Sequence, residues 1–252
     1  MVTVYDTHFY DDQAAGSLAS SAEFVPYILG ITRASSVVDV GCGLGTWLQT
    51  YVQSGAKDIL GMDGGWVDPA KLYIPPEKFR PVDLLRLPRL ERRFDVAQSL
   101  EVAEHLPHSH AASFVEFLTT LSDVVVFSAA SPHQGGTEHI NERWPSYWRT
   151  HFEGCGYALY DVFRPRFWSN DRVMWWYAQN TFLYVKRERR SALALNREQP
   201  EGFIYPERIV HPRRIDPAHH GKPGLRDLLR AAPAALSNTM RRRIPRQLSS
   251  LF

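Results

Sequence analysis

The chain has 252 residues, 44% of them apolar and 22% charged, with a formal net charge of +2. That suffices for one large domain with extensions and excludes a disordered or membrane class for the whole, since no run approaches the roughly 18 consecutive apolar residues of a spanning helix. The opening MVTVYDTHFYDDQ lacks the basic and apolar regions of a signal peptide, and Cys42 and Cys155 stand far apart in no zinc pattern, so a reducing cytoplasm is expected.

The small net charge conceals an asymmetry. Residues 1–185 hold 14 Lys+Arg against 21 Asp+Glu, whereas residues 186–252 hold 15 against 6. A mildly acidic body carries a basic tail.

In chain order, SLASSAEFVPYILGI is an amphipathic, helical lead-in. SVVDVGCGLGTW is a short apolar strand running into a glycine-rich turn, and TWLQTYVQSG is the following helix, closed by Gly55. DILGMDGG, KFRPVDLL and FDVAQSL supply the second, third and fourth strands. SLEVAEHLPHSH is expected to open a helix, HAASFVEFLTTLS to be helical, and DVVVFSAA to be a fifth strand. Strands alternating with helices at this spacing predict an α/β fold with a parallel sheet covered on both faces. The aromatic-rich NERWPSYWRTHFEGCGY and then RVMWWYAQNTFLYVK are expected to provide the closing strands. Beyond Lys186 the text is polar, proline-bearing and aperiodic, as in a surface-wrapping extension. A short helix is expected in LRDLLRAAPAALSNTMRRR, interrupted by Pro233.

Two groups of residues carry chemistry. In Asp39-Val40-Gly41-Cys42-Gly43-Leu44-Gly45, Gly41 and Gly43 let the backbone turn sharply against a ligand, and Gly45 lets the next helix pack tightly. Asp39 can accept from an ammonium group. Asp63, 24 residues on at the end of the second strand, suits the two hydroxyls of a ribose, and Asp83 at the end of the third suits an adenine amino group. Three acids at successive strand ends favour a nucleotide cofactor, and GxGxG after an acid differs from the GxGxxG of a dinucleotide fold.

The second group follows the fourth strand. Glu101, Glu104 and His105 at i, i+3 and i+4 are expected on one helical face. Adjacent carboxylates repel unless a positive charge lies between them, and oxygen-plus-imidazole ligation suits a divalent cation such as magnesium or manganese. The loop SPHQGGTEHINERW after the fifth strand brings His133, Glu138 and His139 to the same edge, to supply a fourth ligand or a base. A solvated helix start would explain the acids through the helix dipole but would leave His105 without a task.

Across residues 35–185, VVDVGCGLGTW, GMDGG, VDLL and FDVAQSLEVAEHL resemble, in order, the motifs of class I S-adenosylmethionine (SAM)-dependent methyltransferases. The resemblance implies a doubly wound, mostly parallel seven-stranded sheet of Rossmann-like type, with the cofactor over the C-terminal strand ends. Gly41 and Gly43 would lie under its methionine part, Asp63 on the ribose, and Asp83 with Leu84 at the adenine. Ser99 would join the cofactor contacts, and Gln13 or Ser17 on a lid would reach the carboxylate. ExxEH resembles the metal site of ubiquinone-pathway O-methyltransferases, and with a later histidine the Glu-Glu-His-His site of small-RNA 2′-O-methyltransferases. Carried over, the ligands are Glu101, Glu104, His105 and His139, with His133 or His139 as base and Glu104 in the catalytic set. The domain expectation is a lid over 1–34, a catalytic body over 35–188 and a basic extension over 189–252.

Trp144, Tyr147 and Trp148 follow the histidine loop, and Trp66, Trp168, Trp175 and Trp176 add to the aromatic load. Aromatic rings pack on sugar C–H faces, although a core or a homodimer interface uses them equally. GGTEHINERWPSYW, RPRFW and WWYAQN resemble bacterial methyltransferases of polysaccharide biosynthesis, which implies a carbohydrate diol such as a short mannoside. RNA 2′-O-methylation is the alternative with the same chemistry, disfavoured by the acidic body and permitted by the basic tail. A SAM-binding regulator whose tail docks a membrane or partner is the non-enzymatic one.

Overall fold

A computed structural model describes residues 7–193 and 208–215. The long helix α1 (Thr7–Thr32) precedes β1 (Ser36–Val40), α2 (Thr46–Gln53), β2 (Asp58–Asp63), the short β3 (Phe79–Pro81) and β4 (Val96–Leu100). Then come α3 (Ala111–Leu121), β5 (Val124–Ser128), α4 (Pro145–Gly154), β6 (Tyr157–Tyr160), α5 (Arg164–Phe167), α6 (Trp175–Asn180) and β7 (Phe182–Lys186). All but α7 (Pro212–Ile215) belong to one unit, Met1–His211; α7 falls in a second, Pro212–Phe252. The helix expected around Pro233 lies outside the described residues.

One seven-stranded sheet has the order β3-β2-β1-β4-β5-β7-β6. Adjacent strands from β3 to β5 pair in parallel, and β7 runs antiparallel between β5 and β6. This is the mostly parallel, Rossmann-like seven-stranded sheet that the sequence resemblance implies. Residues of β4 and β5 are buried throughout, which is why they read as short apolar runs rather than alternating ones. On one face α1, α2 and α6 contribute Phe24, Ile28, Trp47, Tyr51 and Tyr177; on the other α3 and α4 contribute Phe114, Leu118, Trp148 and Phe152. The strand order reverses between β1 and β4, so the loops leaving these two strands diverge. At such a reversal, open α/β sheets form their ligand crevice, outside the C-terminal strand ends.

Two expectations are corrected. SLEVAEHLPHSH forms no α-helix: it makes two 3₁₀ turns, Ala103–His105 and His108–His110, and α3 starts only at Ala111. Glu101 is left-handed at φ +55°, its N–H held by the carbonyl and hydroxyl of Ser128 at 3.1 and 3.0 Å. Pro107 then keeps Leu106 extended, at ψ 143°. The three ExxEH side chains therefore do not share a helical face. WWYAQN is likewise a helix, α6, and not a strand, because a helical turn places Tyr177 and Ala178 together in the α1–α2 core. The remaining closing strand comes from YALY, after the aromatic stretch.

No helix among the described residues is long and apolar enough to cross a membrane. Helix α1 is bound into the body by Phe24, fully buried, with its ring stacked 4.1 Å from Phe167 and edge-on to Trp47 at 5.8 Å. Phe24→Ala should cost about 3–5 kcal/mol in urea unfolding, as for other large-to-small core replacements; a cost below about 1 kcal/mol would show that α1 docks independently of it.

Candidate active site

The crevice is walled on one side by the glycine turn. Gly41, Gly43 and Gly45 all have positive φ. At Gly41 a Cβ would overlap Val102, so no other residue fits. At Gly43 nothing lies within 4 Å of a Cβ, which leaves room for a ligand against the backbone. Asp63 closes the turn: its carboxylate accepts from the Gly43 amide at 2.7 Å and the Gly64 amide at 2.6 Å. Burial raises its pKa, and these two amides oppose the rise. Asp39 sits deeper. Gln98 donates to it at 3.1 Å and is itself oriented by the Tyr51 hydroxyl at 3.0 Å. Burial, partly offset by Gln98 and reinforced by Asp63, pushes the Asp39 carboxyl up to about 8.

Other expected cofactor residues spread out. Asp83 is exposed, two residues past β3, and caps its own turn by accepting from the Leu85 amide at 2.9 Å. Leu84 is buried. Ser99 lies within β4, fully buried, its hydroxyl without a partner. Ser17 is buried on α1, 3.3 Å from the Tyr177 hydroxyl. Gln13's side chain lies outside the described residues. Trp66 is 69% exposed and covers Gly64 beside Asp63, whereas Trp148 and Trp175 are core residues.

The other wall is the turn after β4. Donor atoms of Glu104, His105 and His139 lie within 4.8 Å of one another. Glu104 is fully buried and neither carboxylate oxygen has a hydrogen-bond partner. Burial and the neighbouring Glu101 carboxylate push its pKa well up. His105 is held neutral: burial and His139 lower its pKa to about 4, against a hydrogen bond to the Glu138 carbonyl. Its ring stands edge-on to that of His139 with centroids 4.8 Å apart.

Glu101 is close enough to perturb Glu104 but is not part of this three-residue set. Its carboxylate is held by the Gln134 amide at 2.7 Å and the Asn180 amide at 3.1 Å. His133 is exposed, with φ +65°. The histidine loop is organised by Glu142, which nothing in the sequence marks out beyond its i, i+3 spacing from His139. Gln98, Gln134 and Asn180 were also unforeseen; only Gln98, a polar residue inside an apolar strand, carried a signal.

Residues 10–181 match the family described as a methyltransferase domain. The chain belongs to this methyltransferase family. Among curated proteins none matches. Several solved methyltransferases are similar in fold. Magnesium protoporphyrin IX methyltransferase from Synechocystis PCC 6803, with bound SAM, is 18% identical at TM-score 0.51, over 73% of this chain and 86% of its own. An amino pentose methyltransferase of calicheamicin biosynthesis from Micromonospora echinaspora, also with SAM, is 14% identical at TM-score 0.51, over 74% and 99%. An O-methyltransferase family protein from Burkholderia thailandensis is 15% identical at TM-score 0.51, over 73% and 60%.

Asp39 has a thermodynamic consequence for the methyltransferase. A carboxyl raised to about 8 keeps a proton that the unfolded chain releases near pH 4, so the folded protein binds more protons in between. This contribution is present at low pH and lost as pH rises towards 8. Urea unfolding of the cofactor-free protein should therefore show a stability decline from about pH 5 to about pH 7 that is shallower in Asp39→Asn, by at most about 1.4 kcal/mol per pH unit. Parallel pH profiles would refute the assignment.

Proposed function

We propose that this protein is a SAM-dependent, divalent-metal-dependent O-methyltransferase that modifies a hydroxyl of a vicinal diol in a sugar, such as a short mannoside or polysaccharide precursor. The observation that carries the metal is Glu104. A carboxylate buried without a partner is costly, and it is relieved by protonation or by a cation. With two imidazoles beside it, one held neutral, the site offers lone pairs rather than protons, which fits a cation better than a proton. One oxygen and two nitrogens suit a first-row divalent ion, and Glu101 at hand as a further oxygen shifts the set towards manganese, with magnesium the harder, less nitrogen-tolerant case.

On the cofactor side, the free space at Gly43 accommodates the methionine part, and an ammonium group at Asp39 would supply the counter-charge that this buried acid lacks. Asp63, with both oxygens already orienting loop amides, keeps lone pairs for ribose hydroxyls. A divalent cation held by Glu104, His105 and His139 would lower the pKa of an acceptor hydroxyl towards neutrality. Two adjacent hydroxyls fix the attacking oxygen better than one. As that oxygen took the methyl group from the sulfonium, its proton would pass to an imidazole that does not hold the cation, the exposed His133, or His139 if the cation rests on the other ligands. The half-exposed Trp144 beyond the loop and the exposed Trp66 offer faces for a sugar ring. A lid over 1–34, a catalytic body over 35–188 and a basic extension over 189–252 belong to the same proposal.

Glu104→Ala, and separately EDTA, should abolish methyl transfer to short mannosides while SAM affinity by calorimetry changes less than about threefold. Activity that survives both would sink the metal, and transfer to RNA with a steep salt dependence would move the substrate from sugar to ribose. No transfer to any diol with metal present would favour a SAM-binding regulator.

A further inference from the structure

The loop from Ser131 to Asn141 does not hold itself together with backbone hydrogen bonds alone. His133, Gly135, Gly136 and Glu138 all have positive φ, and two of these four are not glycine. One side chain compensates for this winding. Glu142 accepts from the His133 amide at 2.7 Å through Oε2 and from the Gly135 amide at 2.8 Å through Oε1. The same Oε1 lies 3.1 Å from Nδ1 of His139, and both side chains are largely buried.

That contact has a chemical meaning. A carboxylate already accepting two amide protons can only accept from the ring, so Nδ1 must carry the hydrogen. In a neutral imidazole the other nitrogen, Nε2, is then the basic one. Gly136 shapes the space around it: a Cβ there would overlap the His139 ring, so the missing side chain is what lets the ring lie where it does. Beside the ring stand His105 and the unpartnered Glu104.

The geometry points to Glu142 as the positioning residue of the site: it fixes His139 in the Nδ1–H tautomer and thereby keeps a bare Nε2 within the Glu104–His105–His139 cluster. A histidine with a free choice of tautomer would present an N–H there part of the time, and an N–H neither ligates a cation nor accepts a proton. The loop amides and the imidazole share one carboxylate, so folding of the loop and the state of the ring are coupled. The consequence for a cation rests on the function proposed above; the tautomer does not.

The test reads the two separately. Ring nitrogen and carbon NMR shifts of His139, assigned by comparison with His139→Gln, should show Nδ1–H in the wild type without any metal. In Glu142→Ala they should shift towards Nε2–H, with the methyl signals of the core unchanged as evidence of an intact fold. Glu142→Asp, a carboxylate one methylene shorter, serves as a second variant that retains the charge and should recover part of the Nδ1–H population. Manganese titration should show affinity reduced about tenfold or more in Glu142→Ala, with no further loss when Glu142→Ala is added to His139→Gln. Nε2–H in the wild type, or an unchanged tautomer in Glu142→Ala, would overturn the assignment. A wild type that binds no manganese but shows the expected tautomer would sink the metal proposal and leave the role of Glu142 standing.

Discussion

The main-chain carbonyl of Glu104 accepts the amides of both Ile140 and Asn141, each at 2.9 Å. This double hydrogen bond joins the turn after β4 to the loop after β5, two segments about 35 residues apart in sequence. Without it the Glu104 carboxylate and the His139 ring would have no common frame. With it, Glu104 holds by its backbone the loop that brings His139 to within 4.8 Å of its own unpartnered carboxylate. The edge-on contact of the His105 and His139 rings, with centroids 4.8 Å apart, adds a second stitch between the two segments. Loop histidines are ordinarily poor at holding a fixed distance, and these stitches make the arrangement rigid enough to have a defined chemistry.

Both walls of the crevice use the same device: a buried carboxylate that no cation among the described residues balances. Asp39 and Glu104 are each pushed up by burial, and each has an acidic neighbour that pushes further, Asp63 and Glu101 respectively. The neighbours are treated differently. Asp63 and Glu101 are satisfied by amide donors, so their positions are fixed, while the inner acids are left wanting positive charge. Uncompensated burial is unfavourable for stability and favourable for binding whatever cation completes the site. In the function proposed above, the acid beside the glycine turn would meet an ammonium group and the one beside two imidazoles a metal cation.

The sheet was legible because its strands are buried on both faces, so SVVDV, VAQSL and VVVFS stand out as apolar runs ended by turn residues. Asp39 and Asp63 were legible for the same reason, as charges at the ends of such runs. What failed was local conformation decided by distant partners. The ExxEH spacing suggests a helix, but the Glu101 amide is taken by Ser128, 27 residues away, and Pro107 forbids the continuation. In WWYAQN, aromatic residues with high β propensity form a helical turn because α1 and α2 offer a core on one side only. Asp83 looked like Asp63 in sequence, yet β3 ends at Pro81 and leaves it in solvent. Glu142 was invisible since its three acceptor contacts depend on loop winding, which no periodicity encodes.

Glu101 links the site to a part of the chain that composition sets apart. Its carboxylate is held by Asn180; Gln179 donates to the Asn180 side chain at 2.9 Å and to Ser131 at 2.8 Å, and accepts from the His211 amide at 2.7 Å. His211 is buried, with a ring nitrogen 2.6 Å from the Trp168 carbonyl. A residue 25 positions beyond the last strand thus anchors the amide that orients the amide that holds Glu101. The polar text after Lys186 does not mark the end of what the site depends on. Removing the chain after Lys186 would leave Gln179 with a buried, unpaired carbonyl next to the site, a cost that falls on the position of Glu101 before it falls on the sheet.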